Sequence, residues 1–451
     1  MKKLAIGLLG LLIAILVYSS FVLGMGPRYI FGAPSMSVGM GAKLACSSRY
    51  VTGMPAQLAA DDLLVYSPLF NILSYDFDDK QQHVTASVLG LRSASAQFYP
   101  GFGCVLDIGD TNYLASVTAP VSPSTTGLWP QGDEVGELDV DLQKTLSTIM
   151  RRDNEAGLQT RALLVVRDGQ VAAESYAEGF DENSMLLGWS MAKSITALMI
   201  GNLEMKGLIQ AELSPVFQQW ENDARADITL TDMLHMSSGL DFIDIYEPGT
   251  EATQMLFEVH SASDLAITSK SVLTAGKHFE YSSGTTNLLS RLVYDRTGSS
   301  LQASLEYLES EIRRPLGLQD FILEPDPSGV FVGSSYLYAS ARDWARFGQL
   351  MLNKGVLNGN RLVTEDWVKR AVTPNESENT KAYGYQFWLN QGDEQLRWSD
   401  LPQDSYAARG NNDQTVMTIP SANVVIVRLG WTKSGYPENE NFSEILDSAR
   451  K

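Results

Sequence analysis

The residues best suited to chemistry are a serine and a lysine three positions apart, Ser190 and Lys193. They open a stretch that is almost wholly apolar or small and carries no further charge until Glu204. A helix without a polar face is normally buried, and burying a lysine is costly unless it is paired or used. Residues three apart share one helix face. A desolvated lysine has a lowered pKa and can accept the proton of a serine hydroxyl.

We therefore predict that Ser190 is a nucleophile and that Lys193 is its base. Ser190 would also begin the helix, where backbone N–H groups and the helix dipole favour developing negative charge. The alternative is a Ser-x-x-Lys tetrapeptide that occurs by chance, with Lys193 extending from a helix end into solvent.

Two later stretches could complete such a site. Tyr281 precedes a run of small hydroxyl residues, and its phenol could carry protons together with Lys193. The alternative for Tyr281 is a structural role in an ordinary loop. Gly410 stands where residues 407–414 lead into a strand, and a glycine there lets a ligand approach the backbone closely. A backbone N–H in that stretch could complete an oxyanion hole with that of Ser190.

The elements around these residues predict an α+β fold. Two β-rich runs within residues 161–176 flank Asp168-Gly169, which is a strong hairpin signal. Residues 415–420 and 424–429 supply late strands, and helical segments such as residues 341–352 lie between the early and late strands. This order favours an antiparallel sheet covered by helices.

Composition limits the function classes. The chain of 451 residues can hold two or three domains, and its net charge of −19 comes from 53 acidic and 34 basic residues. Such a chain has no basic run beyond its first residues, so we expect no nucleic-acid partner. Two cysteines and four histidines, scattered along the chain, do not predict a metal site, and no organic cofactor is expected.

The N-terminus predicts contact with a membrane. Two lysines precede an uncharged run from Leu4 to Gly24, which as a helix would span roughly 30 Å, about one bilayer core. We expect residues 1–24 to be an uncleaved inner-membrane anchor that leaves the rest on the periplasmic or extracytoplasmic side. The alternative is a signal peptide and a secreted protein, although no Ala-x-Ala-like cleavage site is evident.

We predict an accessory region over residues 25–137 and a main domain over residues 138–451. Gly, Met and Ser dominate residues 32–42 of the accessory region. Strand-like segments follow at residues 83–91 and 94–99, and residues 120–132 are typical of a surface linker. Cys46 and Cys104 both lie in this region and would pair in an oxidising compartment. The alternative is two buried free thiols. A helix over residues 139–152 would open the larger domain.

Together these motifs resemble the class C β-lactamase-related serine hydrolases, and in particular the 6-aminohexanoate-dimer hydrolase type. The motifs are Gly-Trp-Ser190-Met-Ala-Lys193-Ser, Tyr281-Ser-Ser-Gly-Thr-Thr-Asn and the strand entry Gly410-x-x-x-Gln414. The resemblance runs from about Leu163 to Leu429. It implies a β-lactamase/DD-peptidase-like antiparallel sheet flanked by helices, with a helical subdomain.

The resemblance also implies roles for individual residues. Ser190 would be acylated, Lys193 would be its base and Tyr281 the second proton carrier, with the backbone N–H groups of Ser190 and Asn411 holding the oxyanion. The further pocket candidates are Ser283, Arg409 and Gly410. Trp189 and Trp388 could also line the pocket, and packing in the core is the alternative for both.

Two departures from the β-lactamases concern substrate recognition. Ser283 stands where they have asparagine, and Ala408-Arg409-Gly410 replaces their Lys-Thr-Gly. Ala408 cannot pair with a substrate carboxylate, and we expect Arg409 to point to the opposite face of the strand. A Ser-His-Asp site using His235 is an alternative, but residues 188–192 lack the last glycine of a nucleophile elbow.

We expect an enzyme that hydrolyses a small amide or ester through an acyl-serine intermediate. A D-alanyl-D-alanine carboxypeptidase or a β-lactamase is the alternative enzyme. A catalytically silent envelope binding module is an alternative of another class, and the oligomeric state is left open.

Overall fold

The computed structural model describes residues 26–122, 125–433 and 435–450. Its strands in chain order are β1 (Leu73–Asp78), β2 (His83–Val88), β3 (Arg92–Tyr99), β4 (Gly103–Leu106), β5 (Thr160–Arg167), β6 (Gln170–Tyr176), β7 (Leu186–Leu187), β8 (Phe321–Leu323), β9 (Leu337–Ala339), β10 (Val356–Leu357), β11 (Asn360–Arg361), β12 (Trp388–Leu389), β13 (Tyr406–Gly410), β14 (Gln414–Ile419) and β15 (Val424–Gly430). Its α-helices are α1 (Pro27–Tyr50), α2 (Ala56–Asp61), α3 (Val140–Glu155), α4 (Ala192–Met205), α5 (Leu230–Leu234), α6 (Glu251–Phe257), α7 (Ala262–Ala266), α8 (Ser283–Thr297), α9 (Leu301–Tyr307), α10 (Arg314–Leu316), α11 (Ala341–Leu352), α12 (Glu365–Ala371) and α13 (Glu438–Ala449).

The central sheet is antiparallel and has the strand order β12-β13-β14-β15-β5-β6. Strands β5 and β6 form the predicted hairpin, with Asp168 and Gly169 at φ of 51° and 77°. Two positive φ values are what a tight hairpin turn requires, because they match the strand twist. The early and late strands therefore meet in one sheet, as the sequence predicts.

Alternate residues of β5 face different helices, because successive side chains of a strand point to opposite faces. Leu163 and Val165 pack with α3 and α13, and Leu164 and Val166 pack with the core around α4 and α11. Helix α3 begins after Asp139, whose side chain accepts hydrogen bonds from two backbone N–H groups of the first turn. The predicted helix over 139–152 is thus confirmed and continues to Glu155. The α+β fold with a helix-flanked antiparallel sheet is also confirmed.

The accessory region contains a helix that the sequence analysis missed. Helix α1 spans 24 residues, although glycine in a helix interior is unfavourable by about 1 kcal/mol relative to alanine. Small residues are needed because α1 packs closely on two sides. A Cβ at Gly39 would lie 2.3 Å from the carbonyl oxygen of Phe257, and one at Gly41 would lie 3.2 Å from Ala86 of the accessory sheet.

That accessory sheet has the strand order β1-β2-β3-β4 and packs against α1. Its hairpin of β2 and β3 confirms the two strand-like segments that the sequence indicates. Cys46 of α1 and Cys104 of β4 form a disulfide whose Cα atoms are 6.1 Å apart. The disulfide therefore links helix and sheet within this region.

A buried ion pair joins the accessory region to the main domain. Lys43 of α1 pairs with Glu324, donates to the Cys104 carbonyl at 2.6 Å and lies 4.3 Å from the ring centroid of Tyr336. Both charged side chains are at most 2% exposed, so removing either partner would leave an unpaired buried charge.

None of the described helices is sufficiently long and apolar to cross a membrane. The predicted membrane segment, Leu4 to Gly24, lies outside the described residues.

Candidate active site

Ser190 lies in a short 3₁₀ turn, Trp189–Met191, that leads directly into α4. Trp189 has a φ of 47°, which a bulky residue adopts only when surrounding packing holds it there. That packing is extensive, since Trp189 is 1% exposed. The turn places a partly exposed Ser190 just before the N-terminus of α4, and the first three turns of that helix are buried.

Lys193 is buried one helical turn after Ser190, and three oxygens surround its ammonium nitrogen. The Nζ atom lies 3.1 Å from Ser190 Oγ, 3.0 Å from Ser283 Oγ and 2.9 Å from the carbonyl oxygen of Ser334. Burial lowers the pKa of Lys193 to about 8, and the negative charge of Asp244 opposes that shift. The neutral amine is therefore accessible near physiological pH.

Tyr281 lies beside this pair, with Lys193 Nζ 4.9 Å from the centroid of its ring. The ring stacks on Trp388 at 5.5 Å and meets Tyr383 edge to face. Burial raises the pKa of Tyr281 well above its ordinary value, and the neighbouring Ser190 hydroxyl and Arg409 charge act in the opposite direction. Tyr281 is thus a neutral phenol at neutral pH, next to the serine and the lysine.

Asp244 is the residue of this site that sequence reasoning missed. Its Oδ2 accepts hydrogen bonds from the backbone N–H of Ser283 at 3.0 Å and from the Ser283 hydroxyl at 3.1 Å. Ser283 in turn contacts Lys193. The sequence gives no local signal for this contact, because Asp244 and Ser283 are 39 residues apart.

On the opposite side of Ser190, the backbone of Gly410 lies very close to the backbone of residues 188–190. A Cβ on Gly410 would lie 2.0 Å from the carbonyl oxygen of Gly188 and 3.2 Å from the backbone nitrogen of Ser190. Only glycine fits there, because backbone atoms cannot move aside as side chains do. Asn411 follows at the start of a 3₁₀ turn. The first N–H groups of a helix have no intrahelical acceptor, and those of Ser190 and Asn411 both occupy such positions.

Two side chains from elsewhere hold this second turn. Arg428 is buried and donates to the carbonyl oxygens of Asn412 and Asp413 at 2.9 and 3.0 Å. The hydroxyl of Tyr66, from the accessory region, donates to Asn412 Oδ1 at 3.1 Å. Asn412 needs such support, since its φ is 60°.

A cavity of about 410 Å³ opens over Ser190. It collects most of the predicted site residues on its lining, namely Ser190, Tyr281, Trp388, Arg409, Gly410 and Asn411. Ser283 is fully buried behind Lys193, and Trp189 packs beneath the site with its edge toward Tyr66 and Tyr246. These two pocket candidates therefore act from behind the cavity wall.

Arg409 points away from the face that Ala408 occupies, as expected, but it still lines the cavity. Ala408 belongs to the buried core, and Arg409 lies on the other face, where it pairs with Glu438 of α13 at 3.1 Å. Arg409 nevertheless lines the cavity, because the cavity extends around the end of β13 to residues 410–413 and to Thr432, Lys433 and Gly435. Its charge at the cavity wall is largely neutralised by Glu438.

His235 does not take part in this arrangement. It lines a different cavity, of about 510 Å³, and its ring packs against Tyr385 at 4.7 Å. Burial lowers the pKa of His235 to about 4. In the described part of the chain, no cluster of three or more His, Cys, Asp or Glu residues is placed to hold a metal ion.

Comparison with known proteins identifies the family of this chain. The family model Beta-lactamase matches residues 142–443. A 6-aminohexanoate-dimer hydrolase of Paenarthrobacter ureafaciens is 25% identical over 285 residues, which cover 60% of this chain and 72% of the relative.

Two solved structures show the same fold. A Bacillus anthracis protein provisionally named a 6-aminohexanoate-dimer hydrolase has a TM-score of 0.59 at 20% identity, covering 75% of this chain and 92% of its own. A class C β-lactamase has a TM-score of 0.51 at 13% identity, covering 68% of this chain and 95% of its own. The chain belongs to the Beta-lactamase family, as the motifs indicate, and is a serine hydrolase of that family.

Proposed function

We propose that this enzyme hydrolyses a small, uncharged amide or ester through an acyl-enzyme on Ser190. The observation that carries the proposal is the position of Lys193, which is 1% exposed and has its Nζ 3.1 Å from the serine oxygen. A buried amine at hydrogen-bond distance, with its pKa lowered to about 8, is suited to accept a proton from the hydroxyl.

The proposed reaction has two halves. Ser190 Oγ bonds to the substrate carbonyl carbon while its proton passes to Lys193 Nζ. The carbonyl oxygen becomes an oxyanion held by the N–H groups of Ser190 and Asn411. The bond to the leaving group then breaks, and the amine or alcohol receives the proton from Lys193 through the Tyr281 phenol. Water repeats the sequence on the acyl-serine and releases the acid.

The wall of the cavity formed by β13 supports an uncharged substrate; the other cation on the lining, Lys433, is an exposed residue at the rim. Ala408 offers no cation at the position where relatives carry lysine, and Arg409 is already paired with Glu438. A buried carboxylate that lacks a charge-assisted partner loses roughly 2–5 kcal/mol of binding. We therefore expect p-nitrophenyl acyl esters and neutral amides to react faster than penicillins or cephalosporins.

The test begins with a fluorophosphonate probe that labels activated serines. Wild-type protein should be labelled at Ser190, and Ser190→Ala should not; a protein that is unlabelled would instead fit a binding module. A panel of p-nitrophenyl esters, 6-aminohexanoate dimer and a chromogenic cephalosporin then ranks substrates by kcat/KM, with Ser190→Ala as the blank. Faster turnover of the cephalosporin would favour the carboxypeptidase or β-lactamase alternative.

An extracytoplasmic position, with residues 4–24 as an inner-membrane anchor, also stays a proposal. It rests on the apolar run after Lys2 and Lys3. Mass spectrometry of the mature protein from membrane fractions tests it, because a chain that lacks residues 1–24 would be a cleaved, secreted product.

A further inference from the structure

Asp244 lies on the loop before α6, and its carboxylate meets the first residue of α8. Its Oδ2 accepts both the backbone N–H and the hydroxyl of Ser283. A carboxylate is favoured at this place, since the N-terminus of a helix carries partial positive charge and unpaired N–H groups. Burial raises the pKa of Asp244, while the Lys193 charge and the two Ser283 hydrogen bonds lower it.

In the reactive state, with Asp244 ionised and Lys193 neutral, counting hydrogens fixes the direction of every hydrogen bond around Lys193. Ser283 has a single hydroxyl hydrogen, which it donates to Asp244, so its oxygen must accept from Lys193 at 3.0 Å. The Ser334 carbonyl can only accept, and it lies 2.9 Å from the same nitrogen. A neutral lysine has two N–H bonds and one lone pair. With both N–H bonds committed, the lone pair faces the third neighbour, Ser190 Oγ at 3.1 Å.

We propose that Asp244 is a positioning residue that, acting through the Ser283 hydroxyl, aims the lone pair of Lys193 at Ser190. The inference rests on the proposed function, because it assigns a role relative to the Lys193 base. Without the carboxylate, the Ser283 hydroxyl is free to rotate and donate into the lysine lone pair. The Ser283 hydroxyl would then block the lone pair of Lys193, which must receive the proton of Ser190.

Asp244 also sets the charge environment of Lys193. Its negative charge stabilises the ammonium form and so raises the pKa that burial lowers. The other titratable groups facing the site are Tyr246, Tyr281 and Tyr383, whose pKa values burial raises above the usual range, and Arg409 acts on Tyr281. The tyrosines are neutral around pH 8, so Asp244 is the group whose removal should move the titration of Lys193.

The experiment compares Asp244→Ala, Asp244→Asn, Ser283→Ala and the double variant Asp244→Ala/Ser283→Ala on one p-nitrophenyl ester. Asp241→Asn is the matched control, since it removes an exposed carboxylate from the same loop. We expect Asp244→Ala to lower kcat about 100-fold with little change in KM, because a misdirected base behaves as a misplaced catalytic group. The midpoint of kcat/KM against pH should fall below that of the wild type.

Asp244→Asn separates orientation from charge. Its amide oxygen can still accept from Ser283, so it should recover most of kcat while keeping the lowered midpoint. The double variant should lose no more than Asp244→Ala alone, because both substitutions break one chain of contacts. A residue needed only for packing would lower kcat equally at every pH and leave the midpoint in place.

Either of two results would overturn the proposal: turnover of Asp244→Ala within twofold of wild type, or additive losses with an unmoved midpoint in a variant whose near-UV circular dichroism is native. Failure of the proposed function would look different. In that case Ser190→Ala would still turn over the ester and would still be labelled by the fluorophosphonate probe as the wild type is.

Discussion

On one side of Ser190 the contacts come from buried side chains, and on the other they come from backbone groups of an exposed turn. Lys193 and Ser283 are at most 1% exposed; Lys193 contacts the Ser190 hydroxyl through its amine, and Ser283 contacts that amine from behind. Asn411 is exposed. The backbone of Ser190 can approach the end of β13 closely because Gly410 has no side chain. The first side controls where a proton goes, and the second controls where an oxyanion fits.

The two sides should therefore fail differently. Changes among the buried side chains alter charge and proton affinity, so they should move pH profiles. Changes at the backbone turn alter geometry alone, so they should lower turnover at all pH values. The following four predictions test that division, starting from the largest effect.

Removing the base should have the greatest consequence. We expect Lys193→Ala to lower kcat/KM by roughly 10⁴-fold, because general base and nucleophile act as a unit. Lys206→Ala at the end of the same helix is the control, as its side chain pairs with Glu311 and is remote from Ser190. A Lys193→Ala enzyme with near-normal ester turnover would remove the lysine from the mechanism.

Obstructing the backbone side should come next. Gly410→Ala would place a methyl group 2.0 Å from a backbone oxygen and push the strand away from Ser190. We expect kcat to fall about 10²–10³-fold, as for the loss of an oxyanion donor, with the pH midpoint unchanged. Gly136→Ala is the control because nothing lies within 4 Å of a Cβ there. A shifted midpoint in Gly410→Ala would contradict the division between the two sides.

The pH dependence of the wild type reports the buried side directly. Lys193 has a pKa of about 8 and is active as the neutral amine, so kcat/KM should rise with pH through a midpoint near 8. At pH 6 the neutral fraction is about one hundredth, and activity should be about 100-fold below its alkaline plateau. A profile flat from pH 6 to 9 would show that no group of this kind limits the reaction.

The smallest effect should follow from the accessory region. Tyr66→Phe removes the hydrogen bond to Asn412 while the ring keeps its contacts with Trp189 and Trp431. One such bond contributes about 1 kcal/mol, so kcat should fall about 5-fold without a change of pH midpoint. Tyr113→Phe removes another accessory-region hydrogen bond, to Pro327, and should leave kcat unchanged. Equal losses in both variants would indicate general destabilisation.

Much of the hydrolase domain could be predicted because its signals are local or periodic. The Asp168-Gly169 hairpin, the amphipathic α3 and the buried α4 each follow from residues adjacent in the chain. Helix α1 was missed for the opposite reason. Its glycines disfavour a helix in isolation, and close packing against Phe257 and the accessory sheet explains why they are there.

The sequence by itself determined the pairing of Ser190 with Lys193, because the 3₁₀ turn that holds Ser190 leads directly into the first turn of α4, and a separation of three residues there sets the distance wherever the helix lies. Only the tertiary structure decided what surrounds the pair. Ser334 reaches Lys193 across 141 residues, Asp244 reaches Ser283 across 39, and Tyr66 reaches Asn412 across 346. Contacts at such separations depend on the path of the whole chain, and no local spacing encodes them.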